Sequence, residues 1–325
     1  MNVLITGGAG YIGSVVAAAL EKAGHYVVVF DNLSHGWRAA VPKGAKLISG
    51  DILSRTQLDE ALRSHSIDAV LHFAALVEAG ESMSAPERYF RTNTAGTLNL
   101  LESMLEQRVN RLVFSSTAAV YGEPEHVPIE ETHPLQPSNA YGESKLLVER
   151  MLDWFHRVHG LRYASLRYFN AAGASAELGE DHRPESHLIP LVLGVALGLQ
   201  KQVRVFGTDY PTPDGTCVRD YVHVLDLSTA HILALDALKE RSRLIYNLGN
   251  GRGCSVREVV EVARRVTGHP IPTMEAPRRA GDPAVLVASS AKIRQELAWQ
   301  PHFSDLETII ASAWEWHRRH RRGYE

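Results

Sequence analysis

Eight residues near the start constrain this chain more than any others: Thr6-Gly7-Gly8-Ala9-Gly10-Tyr11-Ile12-Gly13. They follow a short apolar run, Val3–Thr6, and precede an amphipathic one, Ser14–Ala23. Gly8, Gly10 and Gly13 satisfy GxGxxG, and Gly7, Gly10 and Gly13 satisfy GxxGxxG. Glycine at this spacing permits a tight turn and close backbone approach to a pyrophosphate. A helix starting there offers its unpaired N–H groups and positive dipole end to the phosphates. A glycine-rich turn with no ligand is the plain alternative, and the strand–turn–helix context weighs against it.

The first half repeats that alternation. Tyr26–Phe30, Lys46–Ser49, Ala69–Phe73, Arg111–Ser115 and Ala164–Arg167 read as strands. Leu58–Ser64, Asn93–Gln107 and Tyr141–Val158 read as helices between them. Strand alternating with helix implies right-handed crossovers and a parallel sheet covered on both faces. The expected fold class is therefore α/β: a doubly wound parallel sheet of Rossmann type with a smaller C-terminal substrate-binding lobe. After Asn170 the texture changes, with turn-rich stretches at Ala171–Pro184 and Asp209–Thr216. Leu188–Leu199 and Val256–Thr267 read as helices there, and Ile245–Leu248 as a late strand. The expected boundaries are 1–168 for the dinucleotide-binding domain, with 219–250 returning to it, and 169–325 mainly for the second lobe.

Composition narrows the function classes. A net charge of -3 gives no field that favours nucleic acid. Cys217 and Cys254 are the only cysteines and neither has a CxxC or Cys/His neighbourhood. A disulfide framework and a metal site are thus not expected, and reduced thiols fit the cytoplasm. The apolar stretch Asn2–Ile5 is too short for a leader or a span, so no membrane partner is expected. The basic run His317–Arg322 reads as a solvated helix end, where cations suit the dipole.

Asp31 ends the second strand, where a carboxylate can accept both hydroxyls of an adenosine ribose and repel a 2′-phosphate. That favours NAD over NADP, with Arg38 nearby as the counter-signal. Capping of the next turn is the alternative role for Asp31. Asp51 and Ile52 follow the third strand, where adenine could lie, though Asp51 could equally cap the next helix. Tyr141-Gly142-Glu143-Ser144-Lys145 is the single YxxxK of the chain. Spacing of i to i+4 puts both side chains on one helix face. A nearby ammonium and a cationic nicotinamide are expected to lower the tyrosine from about 10, making it an acid or base near neutrality. Ser115-Ser116-Thr117 closes the fifth strand at its carboxyl end, where open sheets place ligands. A hydroxyl there can bond a substrate oxygen and share its proton with Tyr141.

Together the glycine loop, Ser-Ser-Thr and YxxxK resemble the extended short-chain dehydrogenase/reductase family, and within it the UDP-glucose 4-epimerases. The likeness runs through GGAGYIG at Gly7–Gly13, DNL at Asp31–Leu33 and FAALVEAGES at Phe73–Ser82. It continues in SSTAAVYG at Ser115–Gly122, YGESK at Tyr141–Lys145 and RYFNAAGA at Arg167–Ala174. Phe206–Leu227 and Ala276–Asp282 complete it. The resemblance implies reversible C4 epimerisation of a UDP-hexose, through a 4-keto intermediate with transient hydride transfer to bound NAD. It implies Tyr141, Lys145 and Thr117 as catalytic residues. For the cofactor it implies Gly7, Gly10, Tyr11, Ile12, Gly13, Asp31, Asn32, Asp51, Ile52, Phe73, Ala74, Ala75, Asn93 and Phe169, beside Tyr141 and Lys145. For the UDP-sugar it implies Asn170, His187, Leu188, Val205, Phe206, Arg219, Arg279, Asp282 and Leu286, beside Thr117 and Tyr141. A homodimer through Asn93–Gln107 and Tyr141–Val158 is also implied.

Three departures stand out. Val77 stands where the family often has lysine, and His187 where asparagine is common. Leu286 matches a sugar-size gate, where tyrosine tends to exclude N-acetyl sugars and smaller residues admit them. A nucleotide-sugar dehydratase would carry Asp-Glu after the threonine, and here Ala118 and Ala119 stand instead. A UDP-glucuronate epimerase or decarboxylase and a UDP-N-acetylhexosamine epimerase are the nearer alternatives. A non-catalytic NAD sensor would need none of Thr117, Tyr141 and Lys145.

Overall fold

The structure is a computed structural model that describes residues 1–279 and 281–325. Ala280, inside the Ala276–Asp282 motif, lies outside the described residues. The chain opens with strands β1 (Asn2–Thr6), β2 (Tyr26–Asp31), β3 (Lys46–Ser49), β4 (Ala69–His72), β5 (Arg111–Thr117) and β6 (Arg162–Tyr168). Between them run helices α1 (Tyr11–Lys22) and α2 (Arg55–Ser64), the single turns α3 (Ala79–Ser82) and α4 (Pro86–Tyr89), then α5 (Gly96–Glu106) and α6 (Ala140–His159). Three strands of the second lobe come next: β7 (Asn170–Ala172), β8 (Val203–Phe206) and β9 (Val218–His223). β10 (Arg243–Leu248) then returns to the main sheet, whose order is β10-β6-β5-β4-β1-β2-β3. Every pairing in that sheet is parallel.

Alternation along each strand explains the two-sided cover. Val3, Ile5, Val27, Val29 and Leu71 pack with α1 and with Leu227, Ala230 and Ala234 on one face. Leu4, Val28, Phe30 and Val70 pack with α2 and α5 on the other. Period-two side chains that are apolar on both faces produce the continuous runs seen in the sequence. The strand order reverses between β1 and β4, so a crevice opens at their carboxyl ends, where such sheets bind ligands.

The second lobe is assembled from separated segments. A small sheet joins β7, β9, β11 (Gly253–Ser255) and β13 (Val285–Leu286), and a pair joins β8 to β12 (Thr273–Ala276). Helices α7 (Leu188–Ala196), α9 (Val256–Thr267) and α11 (Leu306–Arg319) enclose its own apolar core around Val192, Val259 and Ile310. By contrast α8 (Val224–Ala237) and the short α10 (Ala291–Leu297) lie against the main sheet. Within the 219–250 stretch, residues 219–223 form part of β9 in the small sheet, while α8 and β10 lie with the main one. The helix expected from Asn93 begins as α5 at Gly96, after a π-helical stretch Phe90–Ala95. The basic run forms the last turn of α11 and continues through His320, Arg321 and Arg322 just beyond it.

Candidate active site

The glycine loop joins β1 to α1 at the crevice. Gly7 has φ +71°, and a Cβ there would sit 2.5 Å from the Ala74 backbone nitrogen. A Cβ on Gly13 would lie 2.3 Å from the Gly7 carbonyl oxygen. Both positions therefore admit glycine alone, and the backbone of β1, α1 and the Phe73–Ala75 segment closes to contact distance. Gly10 caps α1 without a side-chain bond, and the first turn holds no acidic residue. Its amides are thus free to face an anion.

Asp31 is buried at the end of β2 and fills the turn-capping role weighed for it. Its Oδ2 accepts from the Ala9 amide at 2.9 Å and its Oδ1 from the Leu33 amide at 2.8 Å. The first bond ties it to the glycine loop; the second makes the turn at Leu33, whose φ is +59°. Burial raises its carboxyl, and the two amides pull the other way. Asn32 donates to Asp51 at 3.0 Å, and Asp51 accepts from the Leu53 amide at 2.8 Å. Asp51 thus shapes its own turn, while Ser54 caps α2. Ile52 is buried against Gly96. Tyr11 reaches across to the second lobe, its hydroxyl donating to the Gly173 carbonyl at 2.5 Å. These residues form a cradle that fits a dinucleotide: free helix amides, a glycine-rich loop, and a carboxylate beside it.

Asn93 is buried and engaged on three sides. It accepts from the Leu76 amide at 2.8 Å and donates to the Leu76 carbonyl at 3.0 Å and to Ser144 at 2.9 Å. It braces the segment after β4 against α6, from a π-helical stretch of the kind often found at functional sites. Val77 beside that segment is exposed.

Tyr141 and Lys145 lie on the first turns of α6, whose N-cap Asn139 accepts from the Gly142 amide at 2.9 Å. The Tyr141 hydroxyl lies near that of Thr117, which itself accepts from the Ala119 amide at 3.1 Å. Lys145 is buried, donates to the Ser115 carbonyl at 2.9 Å, and sits 4.9 Å over the Phe114 ring. Strand and helix thus bring the three expected catalytic residues together. Their titration departs from expectation. Burial pushes Tyr141 up to about 12, against the pull of the nearby Thr117 hydroxyl and with Glu78 adding to the rise. Burial likewise brings Lys145 down to about 7. An ionised pair is expensive here because low-dielectric surroundings penalise both charges. The protein's own groups hold Tyr141 as phenol, so phenolate requires a further cation.

The expected substrate residues lie on the second lobe. Asn170 on β7 pairs with Tyr221 on β9, and Phe169 is buried just before it. Leu286 on β13 pairs with Arg219 on β9 and packs against the cluster holding Ala118 and Phe169. Arg219 bridges to Asp282 at 3.1 Å. Arg279 stacks 4.0 Å over Phe206 at the end of β8, after Val205. The Ser138 hydroxyl donates to the Gly281 carbonyl at 3.1 Å, linking this loop to the start of α6. Leu188 begins α7 and His187 is its N-cap. His187 is bonded to Glu180; burial opposes its charge, but Glu180 and Glu185 outweigh that and hold it up at about 9.

Several polar residues of this region went unread in the sequence. Glu78 lies beside Tyr141 and accepts from Ser186. Tyr168 bonds Ser115. Glu180, His182, Glu185 and His187 converge with ligand-type atoms within 4.8 Å, a grouping that cysteine spacing could not signal. Among the described residues no helix is long and apolar enough to cross a membrane.

Known proteins match this arrangement over its whole length. The chain is 55% identical over 323 residues to a UDP-glucose 4-epimerase of Streptomyces lividans, covering 99% of this chain and 98% of that one. It is 52% identical over 327 residues to one of Halalkalibacterium halodurans, covering 100% and 98%. A solved UDP-glucose 4-epimerase from Bifidobacterium longum, in complex with NAD+ and UDP, superposes with a TM-score of 0.96 at 37% identity, covering 99% and 100%. The model of the NAD dependent epimerase/dehydratase family matches residues 3–249, a span that takes in the glycine loop, Thr117, Tyr141 and Lys145. The chain belongs to that family.

Proposed function

We propose that this protein interconverts UDP-glucose and UDP-galactose by epimerisation at C4, with NAD as its resident cofactor. The observation that carries this is the meeting of Thr117, Tyr141 and Lys145 at the carboxyl edge of the sheet, beside the glycine cradle. When bound, NAD+ supplies a cationic ring and the capacity to take up and return the electrons of the C4–H bond. Tyr141 takes the proton of the 4-hydroxyl and later gives it back. Thr117 bonds the same oxygen and shares the proton with Tyr141. Lys145 orients the cofactor ribose and, once charged, steadies the phenolate. Gly7, Gly10, Tyr11, Ile12, Gly13, Asp31 and Asn32 hold the dinucleotide, with Asp51, Ile52, Phe73, Ala74, Ala75 and Phe169 around it. Asn93 serves the cofactor by bracing Leu76. Arg219 and Arg279 suit the substrate pyrophosphate because a guanidinium fork matches phosphate oxygens. Asn170, His187, Leu188, Val205, Phe206, Asp282 and Leu286 complete the sugar-nucleotide side.

Ala118 and Ala119 leave no acid/base pair for dehydration. Leu286, packed beside Ala118, is of intermediate size for a gate on the sugar. Purified protein incubated with UDP-galactose should yield UDP-glucose, with UDP-N-acetylgalactosamine turned over more slowly and UDP-glucuronate not at all. No conversion of UDP-galactose would fail the proposal, and N-acetyl turnover as fast as hexose turnover would fail the ordering.

A cytoplasmic homodimer with the two-lobed division given above belongs to the same reading. Leu98 and Leu105 on α5 and Trp154 and Val158 on α6 are exposed, each pair at helical spacing. Cys217 and Cys254 are buried free thiols. Light scattering should give twice the 35.9 kDa chain mass, and the mass of one chain would refute the dimer.

A further inference from the structure

One helix face grips the last three residues of β5 in succession. Tyr141, Lys145 and Glu149 stand four residues apart on α6 and so form one stripe. Tyr141 lies near the Thr117 hydroxyl, Lys145 donates to the Ser115 carbonyl, and Glu149 accepts from the Ser116 hydroxyl at 2.5 Å. Successive strand side chains point to opposite faces, so Ser116 reaches away from the side on which Thr117 works.

Glu149 is itself locked. Arg167 on β6 donates to it through Nε at 2.9 Å and through a second nitrogen at 2.5 Å. Side-chain exposure is 7% for Glu149 and 3% for Arg167, so water cannot substitute for either partner. Arg167 also donates to the Tyr121 hydroxyl at 2.9 Å, and Tyr121 donates to Asn247 on β10 at 2.7 Å. Asn247 donates in turn to the Ile129 carbonyl at 2.9 Å. The chain of bonds thus runs from the helix through β5 and β6 to β10.

We infer that Glu149 is a positioning residue for the epimerisation: through Ser116 and Arg167 it fixes the register of α6 against β5 and so the approach of Tyr141 to Thr117. This rests on the function proposed above. Glu149 lies two helical turns from Tyr141, about 12 Å along the axis, and touches no reacting atom. A buried ion pair adds little net stability when whole, yet it specifies geometry and is costly to break on one side. Proton transfer is sensitive to such geometry, and misplacement by about 1 Å can cost on the order of 100-fold in rate.

Ser116→Ala is the gentler test, because it removes one bond and leaves the ion pair whole. Glu149→Gln keeps an acceptor for Ser116 but discharges the pair. Both are compared with wild type for kcat and KM on UDP-galactose, for the pH dependence of kcat, and for Tm. Ser116→Ala should lower kcat about tenfold with KM within about twofold, and Glu149→Gln should lower it further. The rising limb of the pH profile should move to higher pH, because a Tyr141 set farther from Thr117 loses the pull toward phenolate. Unchanged kcat and pH profile in a folded Ser116→Ala protein would overturn the inference. So would a loss of kcat that merely tracks the folded fraction, with the pH limb in place. Wild type run alongside keeps the two levels apart. Wild-type turnover with indifferent variants fails the positioning alone, whereas an inert wild type fails the proposed function and this inference with it.

Discussion

The two sides of the cleft, as the proposed function divides it, are built by different means. On the cofactor side the backbone does the work: Gly7 and Gly13 leave no space for a Cβ, and α1 opens with uncapped amides. On the sugar-nucleotide side long side chains do it. Arg219 is paired with Asp282, Arg279 lies on Phe206, and His187 is bonded to Glu180. A main-chain cradle has one working geometry, because an added atom collides with atoms that cannot swing away. Side-chain contacts are exchangeable, and each charged bond is worth only about 1.5–3 kcal/mol. Tolerance to substitution should therefore be close to all-or-none on one side and graded on the other.

The sharpest way to break that contrast is Gly13→Ala. Its new Cβ would meet the Gly7 carbonyl oxygen at 2.3 Å, so purified protein should carry no detectable NAD and show no turnover. An alanine variant that keeps its full cofactor would show the cradle to be as forgiving as the other side. Tyr141→Phe comes next and isolates the chemistry between the two sides. Removing the acid/base hydroxyl should cost about 10³-fold in kcat while NAD stays bound. A loss below tenfold would assign the proton to another group. Arg219→Ala probes the graded side, with KM for UDP-galactose rising by roughly 10- to 100-fold and kcat nearly unchanged. A fall in kcat at constant KM would mean that Arg219 acts in the transition state instead.

The same contrast governs what could be read from the sequence. The glycine loop, the strands β1 to β6 and the Tyr141–Lys145 stripe were legible because their constraints are local: left-handed or crowded backbone, period-two apolar runs, i to i+4 spacing. β7, β11 and β13 are two or three residues long and acquire their pairing only from β9, so no periodicity announces them. α8 is buried on most of its surface, Asp226, Ser228 and His231 included, which hides its period. Of α11 only the basic end was read, although Asp305 caps its start and Ile309, Ile310 and Ala313 mark its buried face. Glu149 could have been seen as the next member of the stripe, but its partners Ser116 and Arg167 become neighbours only in the sheet. The titration of Tyr141 could not be read at all. Its direction depends on how much protein covers the phenol.

Lys145 carries the smallest of these effects and shows that the catalytic stripe costs stability. Burial brings its amine from the usual 10.5 down to about 7 in the folded protein. Well above pH 10.5 the amine is neutral folded or unfolded, so its burial is cheap. As pH falls toward 7 the unfolded chain takes up a proton that the folded chain refuses, and stability is lost across that window. Below about pH 7 both forms are protonated and the loss is complete. Lys145→Met keeps most of the stem volume and carries no charge. Without cofactor, its Tm should therefore exceed that of wild type at pH 6 by about 3 °C, and the gap should close toward pH 10. The Ser115 carbonyl left without its donor works against the gain equally at every pH. A gap that stays constant across the range would mean that the lysine's charge is not what burial penalises. A gap that closes would mark Lys145 as a residue kept for its chemistry at the expense of the fold.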